Sequence, residues 1–122
     1  MTGSKLLDSS IWIDFAVKNN FQEIINSEET LFLSVLSLFE IKKKLIYNNI
    51  DKININKISE FIKKRSVIIQ INEEIAEKAA EIAIENKIPA IDSLIYASAL
   101  LNNLELLTLD NDFRDLSNVK IF

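Results

Sequence analysis

The 122-residue chain contains no cysteine and no histidine, and only one glycine, one proline and one tryptophan. Without cysteine there is no disulfide, no thiolate nucleophile and no sulfur-based zinc site. Without histidine, a Ser-His-Asp triad, a histidine general base and an imidazole metal ligand are all excluded. Side-chain ligation of a metal must then come mainly from oxygen, which favours Mg²⁺ or Mn²⁺ over zinc. One glycine and one proline leave little room for flexible linkers or low-complexity tails. No apolar run reaches the roughly 18 residues of a membrane span, and the N-terminus lacks a secretory apolar region. A cytoplasmic protein without membrane association is expected.

What is present fits a single soluble domain over residues 1–122. Hydrophobic residues make up 48% and charged residues 26%, and a chain of this length buries about two-thirds of its unfolded surface. The net charge of −4 opposes broad electrostatic affinity for nucleic acid, unless acids are clustered on metal and locally neutralised.

Along the chain, short strands alternate with helices. Lys5 to Asp8 (KLLD) reads as a buried strand, after which Ser9 and Ser10 supply cap chemistry for a helix through about Lys18. A helical piece is expected over Asn20 to Ser27 and a strand over Leu31 to Leu33. Ser34 caps a helix of about Val35 to Asn48, with Val35, Leu38, Ile41 and Leu45 on one face. Asn54 or Asn56 opens the next helix, ending near Arg65. The β-branched run Val67 to Ile71 reads as a strand, and Asn72 caps a helix through about Asn86 with Ile75, Ala79, Ile82 and Ala83 inward. An apolar helix with small residues Ala97, Ser98 and Ala99 follows over Ile88 to Leu101. Glu105 to Leu109 is a strand, Asp110 to Asp115 a turn with a short helix, and Val119 to Phe122 a last strand. The pattern predicts an α/β fold: a mainly parallel central sheet of about five short strands with helices on both faces.

Four acids stand out against this pattern. Asp92 is the only charge in the apolar stretch from Ile88 to Leu101 and shares a helical face with Ile95, Tyr96 and Ala99. A carboxylate carried inward costs several kcal/mol or more unless a cation meets it. Asp8 and Asp110 close strands, and ligand sites in open α/β sheets lie beyond the carboxyl ends of strands. Glu40 lies on the helix after the second strand, in a stripe with Leu36 and Tyr47. Each has an ordinary structural role available. Asp8 and Asp92 suit helix capping, Glu40 suits an ion pair with Lys43 or Lys44, and Asp110 and Asp112 suit a turn. Jointly the ordinary roles explain less, because converging carboxylates repel unless one or two divalent ions neutralise them.

The segments KLLDSSIWIDF, LSLFEIKKKL, IPAIDSLIYASAL and LLTLDNDF, in this order and spacing, resemble the PIN domain, in particular the short VapC-like toxins of toxin–antitoxin pairs. The resemblance implies a Rossmann-like three-layer sandwich. It matches Asp8, Glu40, Asp92 and Asp110 to the family acids in turn, and Ser10 and Thr108 to the hydroxyl positions that support them. Asp112 falls where many relatives carry a further acid of variable role. Leu109 departs from the pattern, since relatives often have a basic residue there.

The implied activity is Mg²⁺- or Mn²⁺-dependent hydrolysis of single-stranded RNA, leaving 5′-phosphate and 3′-hydroxyl ends. Asp8, Asp92 and Asp110 would be principal ligands, and Glu40 a ligand or the residue that orients water, a division of labour that needs no histidine. The implied partners are a second copy in a homodimer and an antitoxin whose C-terminal segment covers the site, with Ile11, Trp12, Phe15, Phe39 and Leu45 as candidate groove residues. Lys42 to Lys44 and Lys63 to Arg65 are candidate RNA contacts, and Trp12, Phe15 and Tyr47 candidate stacking residues, although solvated faces and core packing explain them equally. Three other readings remain. They are a PIN-like module that binds without cleaving, an RNA-processing nuclease without antitoxin, and a phosphoacceptor domain. The last lacks both a second Asp at position 10 and a suitable Lys after LLTLD.

Overall fold

The computed structural model describes residues 4–122. Five strands, β1 (Lys5–Leu7), β2 (Leu31–Ser34), β3 (Ser66–Ile69), β4 (Glu105–Thr108) and β5 (Val119–Ile121), form one all-parallel sheet in the order β3-β2-β1-β4-β5. Six helices accompany them: α1 (Ser9–Lys18), α2 (Gln22–Ile25), α3 (Val35–Tyr47), α4 (Lys52–Arg65), α5 (Glu73–Asn86) and α6 (Ala90–Leu101). A 3-10 turn spans Asn111–Phe113. None of the helices is long and apolar enough to cross a membrane, among the described residues.

The two-residue period of a strand sorts the core into two layers. Leu6 and Leu106 point to the face covered by α5 and α6, where Ile75, Ala79, Ile82, Ile95, Ala97 and Ala99 are buried. Leu7, Leu31, Leu33 and Leu107 point to the other face, with Ile11 and Trp12 of α1, Ile41 and Leu45 of α3, and Ile55 and Ile62 of α4. Each fully buried Leu or Ile contributes about 1.5–3 kcal/mol. Within α6, Ser93 and Ser98 return their hydroxyls to the carbonyls of Ala90 and Leu94 at 2.7 and 2.8 Å. Polar side chains are thereby tolerated in a buried helix.

Several boundaries differ from the sequence reading, each for a local reason. At the start of α1 the N-cap position belongs to Asp8, with Ser9 and Ser10 inside the helix. Helix α4 opens at Asp51, whose Oδ1 accepts from the Asn54 N–H at 2.9 Å and whose Oδ2 accepts from the Asn54 side-chain amide at 2.8 Å. This doubly accepting cap moves the start upstream of Asn54. Helix α2 is confined to Gln22–Ile25 because Phe21 sits in the left-handed region at φ 62°. Beyond it, the Arg65 guanidinium binds the carbonyls of Ile25, Ser27 and Glu29, which no longer serve a helix. Strand β3 ends at Ile69 because its last partner, Ser34, is where β2 gives way to α3. The caps Ser34 and Asn72 stand where expected, accepting from Leu36 N–H at 3.2 Å and Ile75 N–H at 2.9 Å.

Strand order places the ligand crevice. From β1 the chain steps outward to β2 and β3, then returns to put β4 on the opposite side of β1 and β5 beyond it. Successive connections therefore diverge between the carboxyl ends of β1 and β4, the switch point at which open α/β sheets bind ligands.

Candidate active site

Asp8 follows β1 and Asp110 follows β4, so both acids stand at that switch point. Asp8 is only 4% exposed. It occupies the N-cap position of α1 but makes no side-chain cap bond. Its Oδ2 instead accepts two hydroxyl hydrogens, from Ser10 Oγ and Thr108 Oγ1, each at 2.8 Å. The same hydroxyls accept backbone N–H groups in turn, Leu109 to Ser10 Oγ at 3.0 Å and Asp110 to Thr108 Oγ1 at 2.9 Å. The end of β1 is thus locked to the strand-to-turn junction after β4, and Oδ1 of Asp8 has no donor on it among the described residues. A capping role does not account for this carboxylate.

Asp110 both caps and remains available. Its Oδ1 accepts the Asp112 N–H at 2.8 Å, closing the 3-10 turn, while Oδ2 makes no hydrogen bond among the described residues. Glu40 forms no ion pair with Lys43 or Lys44 among the described residues. Those ammonium groups sit over the rings of Phe39 and Tyr47, at 5.8 and 5.4 Å from the centroids. Glu40 Oε1 accepts instead from Ser9 Oγ at 3.1 Å. Ser9 is a site residue that the sequence reading missed, having been assigned to capping.

Asp92 is the third residue of α6, whose N-cap position is held by Pro89. It is half-buried and accepts no hydrogen bond among the described residues. The positive end of the α6 dipole favours a carboxylate there, but burial outweighs it. The Asp92 pKa is pushed up to about 7, first by burial and then by the charges of Asp110, Asp8, Asp112 and Glu40. The Glu40 carboxyl is also raised, chiefly by burial, with Asp8 and Asp110 adding to the shift and the Ser9 hydroxyl and Lys43 opposing it.

The five acids named from the sequence therefore share one electrostatic neighbourhood, and three of them form its tightest part. Carboxylate oxygens of Asp92, Asp110 and Asp112 lie within 4.8 Å of one another. Oxygens on opposite sides of one Mg²⁺ are about 4.2 Å apart, given bonds of about 2.1 Å, so small side-chain rotations bring this trio onto a single ion. Asp112 belongs to the trio, whereas Asp8 and Glu40 flank it. The donor set, all oxygen with several atoms lacking a hydrogen-bond donor, fits a hard divalent cation and no softer one.

Other candidates from the sequence divide cleanly. Ile11, Trp12 and Leu45 are 0% exposed and belong to the core, so they neither line a groove nor stack on a base. Phe15 stacks on Phe61 at 5.7 Å between centroids. Arg65 is committed to the three carbonyls after α2 and is removed from the candidate RNA contacts. Phe39 and Tyr47, 64% and 77% exposed, do line a cleft of about 690 Å³, together with Ile46, Lys43, Lys44, Glu40 and Ser9.

An all-parallel α/β sheet with carboxylates gathered at its switch point defines the class, and the comparisons name the family. The model of the PIN domain matches residues 5–119, and the chain belongs to the PIN domain family. The structure is similar to that of a toxin–antitoxin complex from Klebsiella pneumoniae, with 23% identity, TM-score 0.76 and 95% of each chain covered. It is similar to VapBC2 from Rickettsia felis bound to a fragment of its promoter DNA, with 21% identity, TM-score 0.77 and 98% and 97% covered. It also resembles VapC20 from Mycobacterium tuberculosis, a sarcin–ricin-loop-cleaving toxin, with 14% identity, TM-score 0.73 and 92% and 94% covered. No curated protein sequence matches the chain.

Proposed function

We propose that this PIN domain is a divalent-metal-dependent endoribonuclease acting on single-stranded RNA, and the toxin of a toxin–antitoxin pair. The observation that carries the reading is Asp92: a half-buried carboxyl with no donor, raised to about 7 by burial and surrounding acids, within 4.8 Å of two further carboxylates. Such a group gains most from a cation. Asp92, Asp110 and Asp112 would hold the ion, Mg²⁺ or Mn²⁺, with Asp8 through its open Oδ1 and Glu40 through Oε2 completing the acidic wall. A bound divalent ion supplies Lewis acidity toward the phosphodiester and an acidified water. Ser10 and Thr108 hold Asp8 in place and remove its freedom to rotate. Glu40, its carboxyl raised chiefly by burial and held by Ser9, is placed to orient water or take up a proton.

The toxin reading draws on the neighbours solved as toxin–antitoxin complexes and on the exposed apolar cleft of Phe39, Ile46 and Tyr47 beside Glu40. An antitoxin segment seated there would lie against the acids and block them. A homodimer belongs to the same reading. Purified protein should cut a labelled single-stranded RNA with Mg²⁺ or Mn²⁺ and not with EDTA, while Asp8→Asn and Asp110→Asn lose the activity. Equal cutting by those variants contradicts the assignment. A small reading frame next to this gene, whose product co-purifies and silences cleavage, separates a toxin from an RNA-processing nuclease. Light scattering of the isolated protein tests the dimer.

A further inference from the structure

Next to the acid trio lies a second cleft, of about 300 Å³, to which the proposed chemistry assigns no role. It lies between the end of α5 with the loop to α6 (Asn86 to Pro89) and the segment from Asn111 to Leu116. Its volume is at the lower bound of the roughly 300–1,000 Å³ of small-ligand pockets. Asp112 lines it and also belongs to the trio, so cleft and acids are continuous.

Its charges are arranged unusually. Lys87 and Arg114 line it together with Asp112 and Asp115, yet no ion pair joins any of the four among the described residues. With Asp112 engaged on a cation, two positive groups face one carboxylate, Asp115. The Asn86 amide is spent on the Ile82 carbonyl at 3.2 Å, whereas the Asn111 side chain makes no hydrogen bond among the described residues and is free to recognise a ligand. Lys87 holds the position after α5 in left-handed conformation, φ 54°, where glycine is the usual residue. A long cationic side chain thus stands at a site whose backbone favours none.

Resting on the nuclease reading, we propose that this cleft is the subsite for the nucleotide next to the scissile phosphodiester, with Lys87 and Arg114 binding its phosphate and Asn111 reaching its base or ribose. A strand whose reacting phosphate lies over Asp92, Asp110 and Asp112 must continue into a neighbouring cleft. The cleft of Phe39, Ile46 and Tyr47 also carries Lys43 and Lys44, but their ammonium groups lie over the Phe39 and Tyr47 rings at 5.8 and 5.4 Å. The one lined by Lys87 and Arg114 is polar and carries unpaired cations, the chemistry that a phosphate requires.

The test uses the full chain in an Asp8→Asn background, so that RNA is bound and not cut. Anisotropy of a labelled 12-nucleotide single-stranded RNA is read across a salt series with Mg²⁺ present. Lys87→Ala combined with Arg114→Ala should weaken binding about tenfold and lower the log–log salt slope by about 1 for each cation removed. Lys52→Ala with Lys78→Ala, which removes the same charge elsewhere, should leave the slope unchanged. Lys87→Arg with Arg114→Lys should restore most of the affinity. In the active parent background, the double alanine variant should raise KM and leave kcat near the parent value. Unchanged affinity and slope in the double alanine variant overturn the subsite, as does an equal loss in the Lys52 and Lys78 control. If the parent cuts RNA while these binding results are negative, the subsite fails and the nuclease reading stands. If the parent never cuts, that reading fails, and the anisotropy still decides whether the cleft binds RNA. Circular dichroism confirms that each variant is folded.

Discussion

Replacing Asp92 by Asn should stabilise the metal-free protein, and by an amount that depends on pH in a defined direction. The carboxyl has an ordinary value of 3.8 and is raised to about 7 in the fold. Below 3.8 both states hold the proton and Asp92 costs nothing. Between 3.8 and 7 the unfolded chain releases its proton while the folded protein retains it, so stability falls as pH rises. Above about 7 the full cost is present. The shift corresponds to about 4 kcal/mol at about 1.36 kcal/mol per unit, and solvent screening at a half-buried site reduces this to about 1–2 kcal/mol. For a chain of this size that is roughly 3–8 °C in Tm. Melts in EDTA at pH 4.5 and pH 8 provide the assay. Asp92→Asn should exceed the parent by that margin at pH 8 and by much less at pH 4.5. Mn²⁺ should then raise the parent's Tm and shift the variant far less. A variant no more stable than the parent at pH 8, or equally stabilised at both pH values, refutes the reasoning that Asp92 is a frustrated acid awaiting a cation.

Thr108→Val removes one of the two donors to Asp8 and leaves the Asp110 N–H without its acceptor, so urea unfolding should show a loss of about 1–3 kcal/mol, together with reduced activity. Ser9→Ala deletes the one hydrogen bond that lowers the Glu40 pKa, so carboxyl-resolved NMR should place its titration still higher. Arg65→Ala frees three backbone carbonyls after α2 and should lower stability by about 2–3 kcal/mol, while RNA affinity measured in the Asp8→Asn background should stay unchanged.

The sheet was legible because its strands are short and apolar, with β-branched residues in β3 and β5, and because Leu6/Leu7 and Leu106/Leu107 alternate between two cores. Helix caps were legible where one side chain acts locally, as at Ser34 and Asn72. They were not where an acid upstream takes both bonds of a later asparagine, as Asp51 does from Asn54, or where a remote group intervenes, as with Arg65, which acts on carbonyls 36 to 40 residues earlier in the chain. The acids were legible from their place at strand ends and from the lone charge at Asp92. The place of Asp112 in the closest trio was not. Nothing in the spacing of Asp110 and Asp112 reveals that the 3-10 turn aligns both with Asp92. Ser9 stayed hidden because a serine after a strand reads as a cap, and its partner Glu40 lies 31 residues away. Ile11, Trp12 and Leu45 show the converse error. Apolar residues carry the same letter in a groove and in a core, and only the packing separates Phe39 from Trp12.

The most direct test is the rate of cleavage of a labelled single-stranded RNA as a function of Mn²⁺ concentration, for the parent and for Asp110→Asn. The expected result is no cleavage in EDTA, saturable activation by Mn²⁺ in the parent, and a rate in Asp110→Asn lower by about 100-fold or more, the scale on which disturbing a metal's ligand environment acts. Cleavage that persists in EDTA, or an Asp110→Asn protein as active as the parent, contradicts a metal site built on these acids.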